Sequence, residues 1–225
     1  MSQRMVYQTE ETRQKILVTA EAMFIEKGFF ETQMQDVATA AAISRNSLYR
    51  YFHDKGDLGY AVLGMVYARS EPAMDETLRE IQANTELNGR DQLHLFLTKW
   101  LMNKNLRAEL KFMAEFDNYF SGDRIPADFR SRAGGPQPLS VLSKIGDLMI
   151  AGVQDGSIRQ DIHPKELLPM VVYSLKSLQQ LVLLRGSALV DLSERDTKRL
   201  LPNMLTVLMD GLKPVLPAEE GHLNP

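Results

Sequence analysis

The chain of 225 residues contains no cysteine. This excludes disulfides, thiol sensing, cysteine nucleophiles and zinc–thiolate sites, and it fits a cytoplasmic chain. There is no apolar run near the roughly 18 to 20 residues needed to span a bilayer, so no membrane partner is expected. No charged-then-apolar leader precedes a cleavage site, and nothing suggests secretion. The four histidines, His53, His94, His163 and His222, lack the i, i+4 spacing with Glu of a metal-binding helix, and no metal is expected. Gly-x-Ser-x-Gly, a phosphate-binding glycine loop and a dinucleotide fingerprint are all missing. The chain therefore reads as neither an enzyme nor a cofactor carrier. It also lacks a charge excess: 26 Lys and Arg stand against 29 Asp and Glu, a net charge of -3. Residues 1–69 hold 8 of each sign. A protein that coats nucleic acid through bulk charge is thereby disfavoured, and any such role must rest on where a few charges sit.

Strand alternation is scarce as well, and helical periodicity dominates, so the fold class is all-α. Thr9 is placed to cap a first helix, with Glu10 and Glu11 at its positive end. Its apolar stripe is Ile16, Ala20, Met23 and Phe24, and Gly28 stops it. Thr32 to Gln35 has capping-box spacing for a second helix, with Val37, Ala38 and Ala41 inward. Ser44 caps a short third helix ending near Phe52, and Asp54 caps a fourth with Leu58, Ala61, Val62, Met65 and Val66 on one face. The pattern breaks around Ser70-Glu-Pro72. This predicts a first domain over 1–69, a second over 70–213 and a flexible tail over 214–225. The second domain has apolar stripes at Met74/Leu78/Ile81, Leu93/Phe96/Leu97/Trp100 and Leu106/Leu110/Met113/Phe120. Residues 121–138, rich in Pro and Gly, read as a mobile loop. Helices resume over 139–153, 164–185 and 194–212, with Pro202 expected to kink or divide the last.

The third helix holds the chemistry. Leu48 and Phe52 lie four apart and should face the core, which leaves Arg45, Asn46, Tyr49 and Arg50 outward. Arg can donate two bonds to guanine O6/N7, and Asn can pair bidentately with adenine. Tyr51, Ser44, Ser47 and Lys55 suit phosphates, which set register without reading sequence. The helix starts at Thr32/Gln33, near Gln35, and at Asp54/Lys55 offer backbone N–H groups to anions, although Asp54 counts against the second. Spacing alone leaves two readings open: a face that reads the major groove, or a solvated set of charges.

At these residues the sequence resembles the TetR family of transcriptional regulators. The stretch Thr12 to Val62 is similar to that family's N-terminal DNA-binding domain. The matching features are Ile16-Leu17, Ala20, Phe24-x-x-x-Gly28-Phe29, Thr32, Val37-Ala38, Ala41, Ile43-Ser44, Leu48-Tyr49-Arg50-Tyr51-Phe52, Lys55 and Leu58. Two positions depart from it. Ala42 stands where the family usually has a turn glycine, and is tolerable there if it keeps φ < 0. Asn46-Ser47 stands where Gly-Thr is common, so Asn46 is expected to touch a base or a phosphate. The resemblance implies a three-helix helix-turn-helix domain joined to a larger helical domain that binds an effector and dimerises. It further implies a homodimeric repressor on a near-palindromic double-stranded operator, released by an unknown small-molecule effector. The alternative is a DNA-binding regulator, or an activator, with no small ligand.

Beyond the first domain the signal thins. Helix 164–185 carries apolar residues on more than one face, and with helix 194–212 it is the expected dimer interface, with Leu175, Leu178, Val182, Leu201, Leu205 and Leu208. The expected effector pocket is apolar, drawn from Trp100, Phe112, Met113, Phe116, Tyr119 and Tyr173. A Met and aromatic stripe at helical spacing also suits an ordinary core.

Overall fold

A computed structural model describes residues 3–101, 103, 107–122, 125, 127, 138–189 and 192–215. These form nine α-helices and a 3-10 turn at Gly186–Ala188, with no strand among the described residues. The expected all-α class is therefore correct. The chain divides into two compact units. The first comprises Met1–Asp75, Asn103–Ser140 and Gln180–Gly186; the second comprises Glu76–Met102, Val141–Gln179 and Ser187–Pro225. This interleaving is richer than a single boundary at residue 69. Most of the expected loop over 121–138, and the tail beyond 215, lie outside the described residues.

In the first unit, α1 (Gln3–Glu26) buries Ile16, Leu17, Ala20 and Phe24. It starts before Thr9, which lies inside the helix and does not cap it. Gly28 follows its end with φ at 93°, as a stop signal should. Two short helices come next, α2 (Met34–Ala40) and α3 (Arg45–Tyr51). Phe29, Val37, Ala38, Ala41, Leu48 and Phe52 join Phe24 in one core. Then α4 (Lys55–Ala83) adds Leu58, Val62 and Val66. It runs unbroken through Ser70-Glu-Pro72, where a break was expected. Pro72 cannot donate to the preceding turn. The Ser70 hydroxyl bonds the carbonyls of Val66 at 3.2 Å and Tyr67 at 3.0 Å.

The sixth helix, α6 (Arg107–Tyr119), also belongs to this unit. Its Phe112 stacks on Phe24 with ring centres 5.3 Å apart, and its Phe116 meets Phe29 edge-on at 5.2 Å. Close approach is possible because α4 has a glycine at the contact. A Cβ on Gly59 would sit 2.4 Å from the Phe116 ring and 2.8 Å from Phe29.

The second unit contains α5 (Gly89–Leu101), α7 (Pro138–Gln154), α8 (Pro164–Arg185) and α9 (Glu194–Gly211), with the ends of α7 and α8 reaching into the first. Its core includes Ile81, Leu93, Phe96, Leu97, Ile145, Met149, Leu175 and Leu205. The start of α5 meets the end of α7 at a glycine pair: a Cβ on Gly89 would lie 2.2 Å from the Gly152 nitrogen. Asp155 then accepts from Gly89 N–H at 2.6 Å, a donor at the start of α5, and from Ser157 N–H at 2.9 Å in the turn after α7. Pro202 sits within α9 without dividing it.

Candidate nucleic-acid interface

The helix α3 has two opposed faces. Leu48 has 0% of its surface exposed and Phe52 has 4%, so the inward pair is as expected. Arg45, Asn46, Tyr49 and Arg50 are exposed. Ser44 caps the helix, accepting from Ser47 N–H at 3.0 Å, and the two hydroxyls bond each other at 2.9 Å. Both serines thus spend their side chains on the cap. Arg45 lays its guanidinium over the Tyr49 ring, 5.5 Å from the centroid. Tyr51, expected at a phosphate, is half-buried and packs against the core.

On α2, Gln33 and Gln35 are exposed, and Gln35 Nε2 reaches Thr39 Oγ1 at 3.4 Å. Thr32 is a correction. Its side chain is fully buried and its hydroxyl donates to Gly28 O at 2.8 Å, so it neither caps α2 nor offers itself to phosphate. Gln33 is the N-cap instead, with its N–H 3.4 Å from Asp36 Oδ2. The start of α4 is likewise occupied: Asp54 Oδ1 accepts from Asp57 N–H at 2.8 Å, and Asp57 Oδ2 from His53 N–H at 3.2 Å. A helix start that already holds a carboxylate is a poor phosphate site, because charge and donors are both spent.

Lys55 is a second correction. Its ammonium donates to the carbonyls of Phe29 at 2.9 Å and Phe30 at 3.0 Å, and lies over the rings of Phe29 and Tyr119. Desolvation lowers its pKa, with the Glu31 carboxylate opposing. Lys55 holds the turn between α1 and α2 and does not reach outward. Ala42 also departs from expectation. It has φ at 53°, left-handed, so the alanine keeps the backbone shape that suits a turn glycine.

Three residues that position this face gave no local sequence signal. Glu115 on α6 accepts from Phe29 N–H at 2.6 Å. Phe29 is thus gripped at its N–H by a carboxylate and at its carbonyl by an ammonium. Arg69 on α4 bonds both carboxylate oxygens of the buried Glu21 on α1, and Glu109 on α6 at 3.2 Å. Glu21 as partner pushes the Arg69 guanidinium further up from its ordinary value. Gly59 completes the set through the packing described above.

The expected pocket residues divide between the two units. Phe112 and Phe116 are buried at 1% and 2% exposure among Phe24, Phe29 and Tyr60, and so fill a core; Met113 and Tyr119 are half-buried at its edge. Trp100 is half-buried in the other unit, where Tyr173 is exposed. Of the expected dimer residues, Leu175 and Leu205 are buried within the single chain and have no surface to give a partner. Leu178, Val182, Leu201 and Leu208 are half-buried. The exposed apolar side chains on α8 and α9 are instead Met170, Tyr173, Leu181 and Val207. Among the described residues no three metal-ligating side chains cluster.

Two short helices joined by a turn, the second with a polar outer face, make a helix-turn-helix, and known proteins resemble it. Residues 16–62 match the model for bacterial regulatory proteins of the tetR family. The transcriptional repressor BepR of Brucella suis is 32% identical over 69 residues, 31% of this chain and 33% of BepR. The repressor NemR of Escherichia coli is 30% identical over 83 residues, 37% of this chain and 40% of NemR. The match thus spans only a third to two fifths of the length of these relatives. Likeness of fold extends further. FadR of Thermus thermophilus, solved with lauroyl-CoA, superposes with a TM-score of 0.64 at 20% identity, over 93% of this chain and 100% of that one. FadR of Bacillus subtilis, solved with stearoyl-CoA, gives 0.64 at 14% identity, over 88% and 98%. Residues 16–62 are thus similar to the N-terminal segment of tetR-family bacterial regulatory proteins, and the chain shares its fold with solved TetR-family regulators.

Proposed function

We propose that the protein is a sequence-specific DNA-binding transcriptional repressor that acts as a homodimer in the cytoplasm. The observation that carries this reading is α3. It buries Leu48 and Phe52 and turns Arg45, Asn46, Tyr49 and Arg50 outward, within a segment of tetR-family sequence. A helix of that width fits the major groove, and those side chains suit base edges and phosphates. Two such helices, one per protomer, reach half-sites about 34 to 36 Å apart on a near-palindromic operator. The exposed Met170 and Tyr173, one turn apart on α8, belong to the surface that a second copy would cover.

A small apolar or amphipathic effector would release the operator. The acyl-CoA complexes of two proteins with this fold support that chemistry. Geometry explains the sensitivity, since a small change in half-site spacing costs several contacts at once.

Selection of bound duplexes from a random library tests the reading, and a two-fold symmetric motif is expected. Affinity should fall steeply with salt, by about 0.9 in log units for each log unit of salt per phosphate neutralised. Binding that is flat in salt and indifferent to sequence would refute the proposal. Thermal shift against fatty acyl and other apolar metabolites, followed by operator release, separates an effector-responsive repressor from a regulator without a ligand. Asn46→Gly should change affinity or sequence preference; unchanged values for both would remove Asn46 from the interface.

A further inference from the structure

The reading face contains one contact that divides the work among its residues. Of the polar side chains at the start of α3, Ser44 and Ser47 are engaged with each other in the cap. Arg45 and Asn46 follow them in the first turn, both exposed. Residues at this end of a recognition helix are the ones that meet base edges. The guanidinium of Arg45 lies over the Tyr49 ring, 5.5 Å from its centroid and one turn on. A cation held over an aromatic face within about 6 Å is attracted by the ring quadrupole. The N–H donors of a guanidinium lie in a fixed fork around its planar edge.

We propose that Arg45 is a guanine-reading residue and that Tyr49 is the positioning residue that presents it, acting through its ring and not its hydroxyl. This rests on the DNA-reading proposal above. A bidentate fork to guanine O6 and N7 requires a particular orientation of the guanidinium plane. An arginine that the ring attracts toward one position loses less rotamer freedom on binding. Tyr49 is 40% exposed and can be replaced without opening the core.

The test uses the full-length protein and a duplex selected by it from a random library. Each base pair of a half-site is then replaced in turn, and affinities are measured for wild type, Arg45→Ala, Tyr49→Phe and Tyr49→Leu. Wild type should select a half-site with a G·C pair whose replacement costs about 5- to 150-fold, the equivalent of 1–3 kcal/mol. Arg45→Ala should erase the discrimination at that pair and leave the other positions graded as before. Tyr49→Phe keeps the ring and should hold that discrimination to within about twofold, whereas Tyr49→Leu should lower it about two- to fivefold at the same pair.

Three results would overturn the proposal. An Arg45→Ala variant that weakens every duplex equally and reduces the salt slope would make Arg45 a phosphate contact. A Tyr49→Phe variant that weakens all duplexes as much as Tyr49→Leu does would make the hydroxyl the working group. A wild type that selects no motif would bring down the DNA-reading proposal itself and this one with it. The first two outcomes leave DNA binding intact, so the two failures are distinguishable.

Discussion

Ala42 holds a left-handed backbone at φ 53°, a shape in which its Cβ crowds the following carbonyl. The turn between α2 and α3 is therefore kept by its surroundings: Ala41 is fully buried, and Ile43 N–H bonds Ala38 O at 3.0 Å. Ala42→Gly removes the crowding at the cost of some chain entropy, and should stabilise the protein by about 1 kcal/mol. A thermal melt should shift upward by about 2–4 °C in a chain of this size. Glu115→Ala should act in the opposite sense. It strands the Phe29 N–H, and loss of a charge-assisted bond to a buried donor costs about 1.5–3 kcal/mol, measurable by urea unfolding. These residues also mark what the sequence made legible. Leu48 and Phe52 declared themselves by spacing along one helix. Thr32, Lys55 and Glu115 did not, because their partners are backbone groups 4, 26 and 86 residues away. No periodicity records such a pairing, and a lysine or glutamate with a buried partner looks in sequence like one facing water.

The helices were legible where one apolar stripe continued. The expected spans 139–153, 164–185 and 194–212 differ by a residue or so from α7, α8 and α9. Punctuation misled more. Pro72 and Pro202 suggested interruptions, yet α4 and α9 run through both. A single missing donor is a local loss, while burial along the whole helix is a distributed gain. Glycine at a crossing is a different signal. Gly59→Ala would force a Cβ to 2.4 Å from the Phe116 ring. We expect about 1–3 kcal/mol of destabilisation by overpacking, read by chemical unfolding, with α6 loosened from α4. At the start of α5, burial alone would raise the Asp155 pKa. Hydrogen bonds from Ser157 and from the N–H groups of Gly89 and Ser157 outweigh burial and hold it below the ordinary value of 3.8. A depressed pKa means that the charged form supports the fold. That support is complete above the ordinary value and is lost as pH falls through the lower, folded-state one. Asp155→Asn should therefore flatten the acid limb of the stability curve below about pH 4, as followed by circular dichroism.

At the scale of the whole chain, the dimer proposal rests on an exposed apolar face of α8. Composition pointed to α8 as doubly apolar, and α8 does carry Val171, Val172 and Leu175 inward and Met170 and Tyr173 outward. Sequence could not say which face a core would claim, because both are equally apolar. Tyr173→Glu should shift the protein from dimer to monomer in sedimentation at micromolar concentration and weaken operator binding, without lowering the helix content. An unchanged sedimentation coefficient would move the interface elsewhere.

The lone tryptophan gives the interleaved units an optical meaning. Trp100 is half-buried in α5, in the second unit, while the ring cluster of Phe24, Phe29, Phe112, Phe116 and Tyr60 lies in the first. Indole emission is thus a private reporter of one unit, and far-ultraviolet ellipticity sums over both. Because α4 and α8 each pass from one unit into the other without a break, melting either unit frays a helix of its neighbour. The fluorescence and ellipticity curves should accordingly superimpose, as for a single cooperative transition.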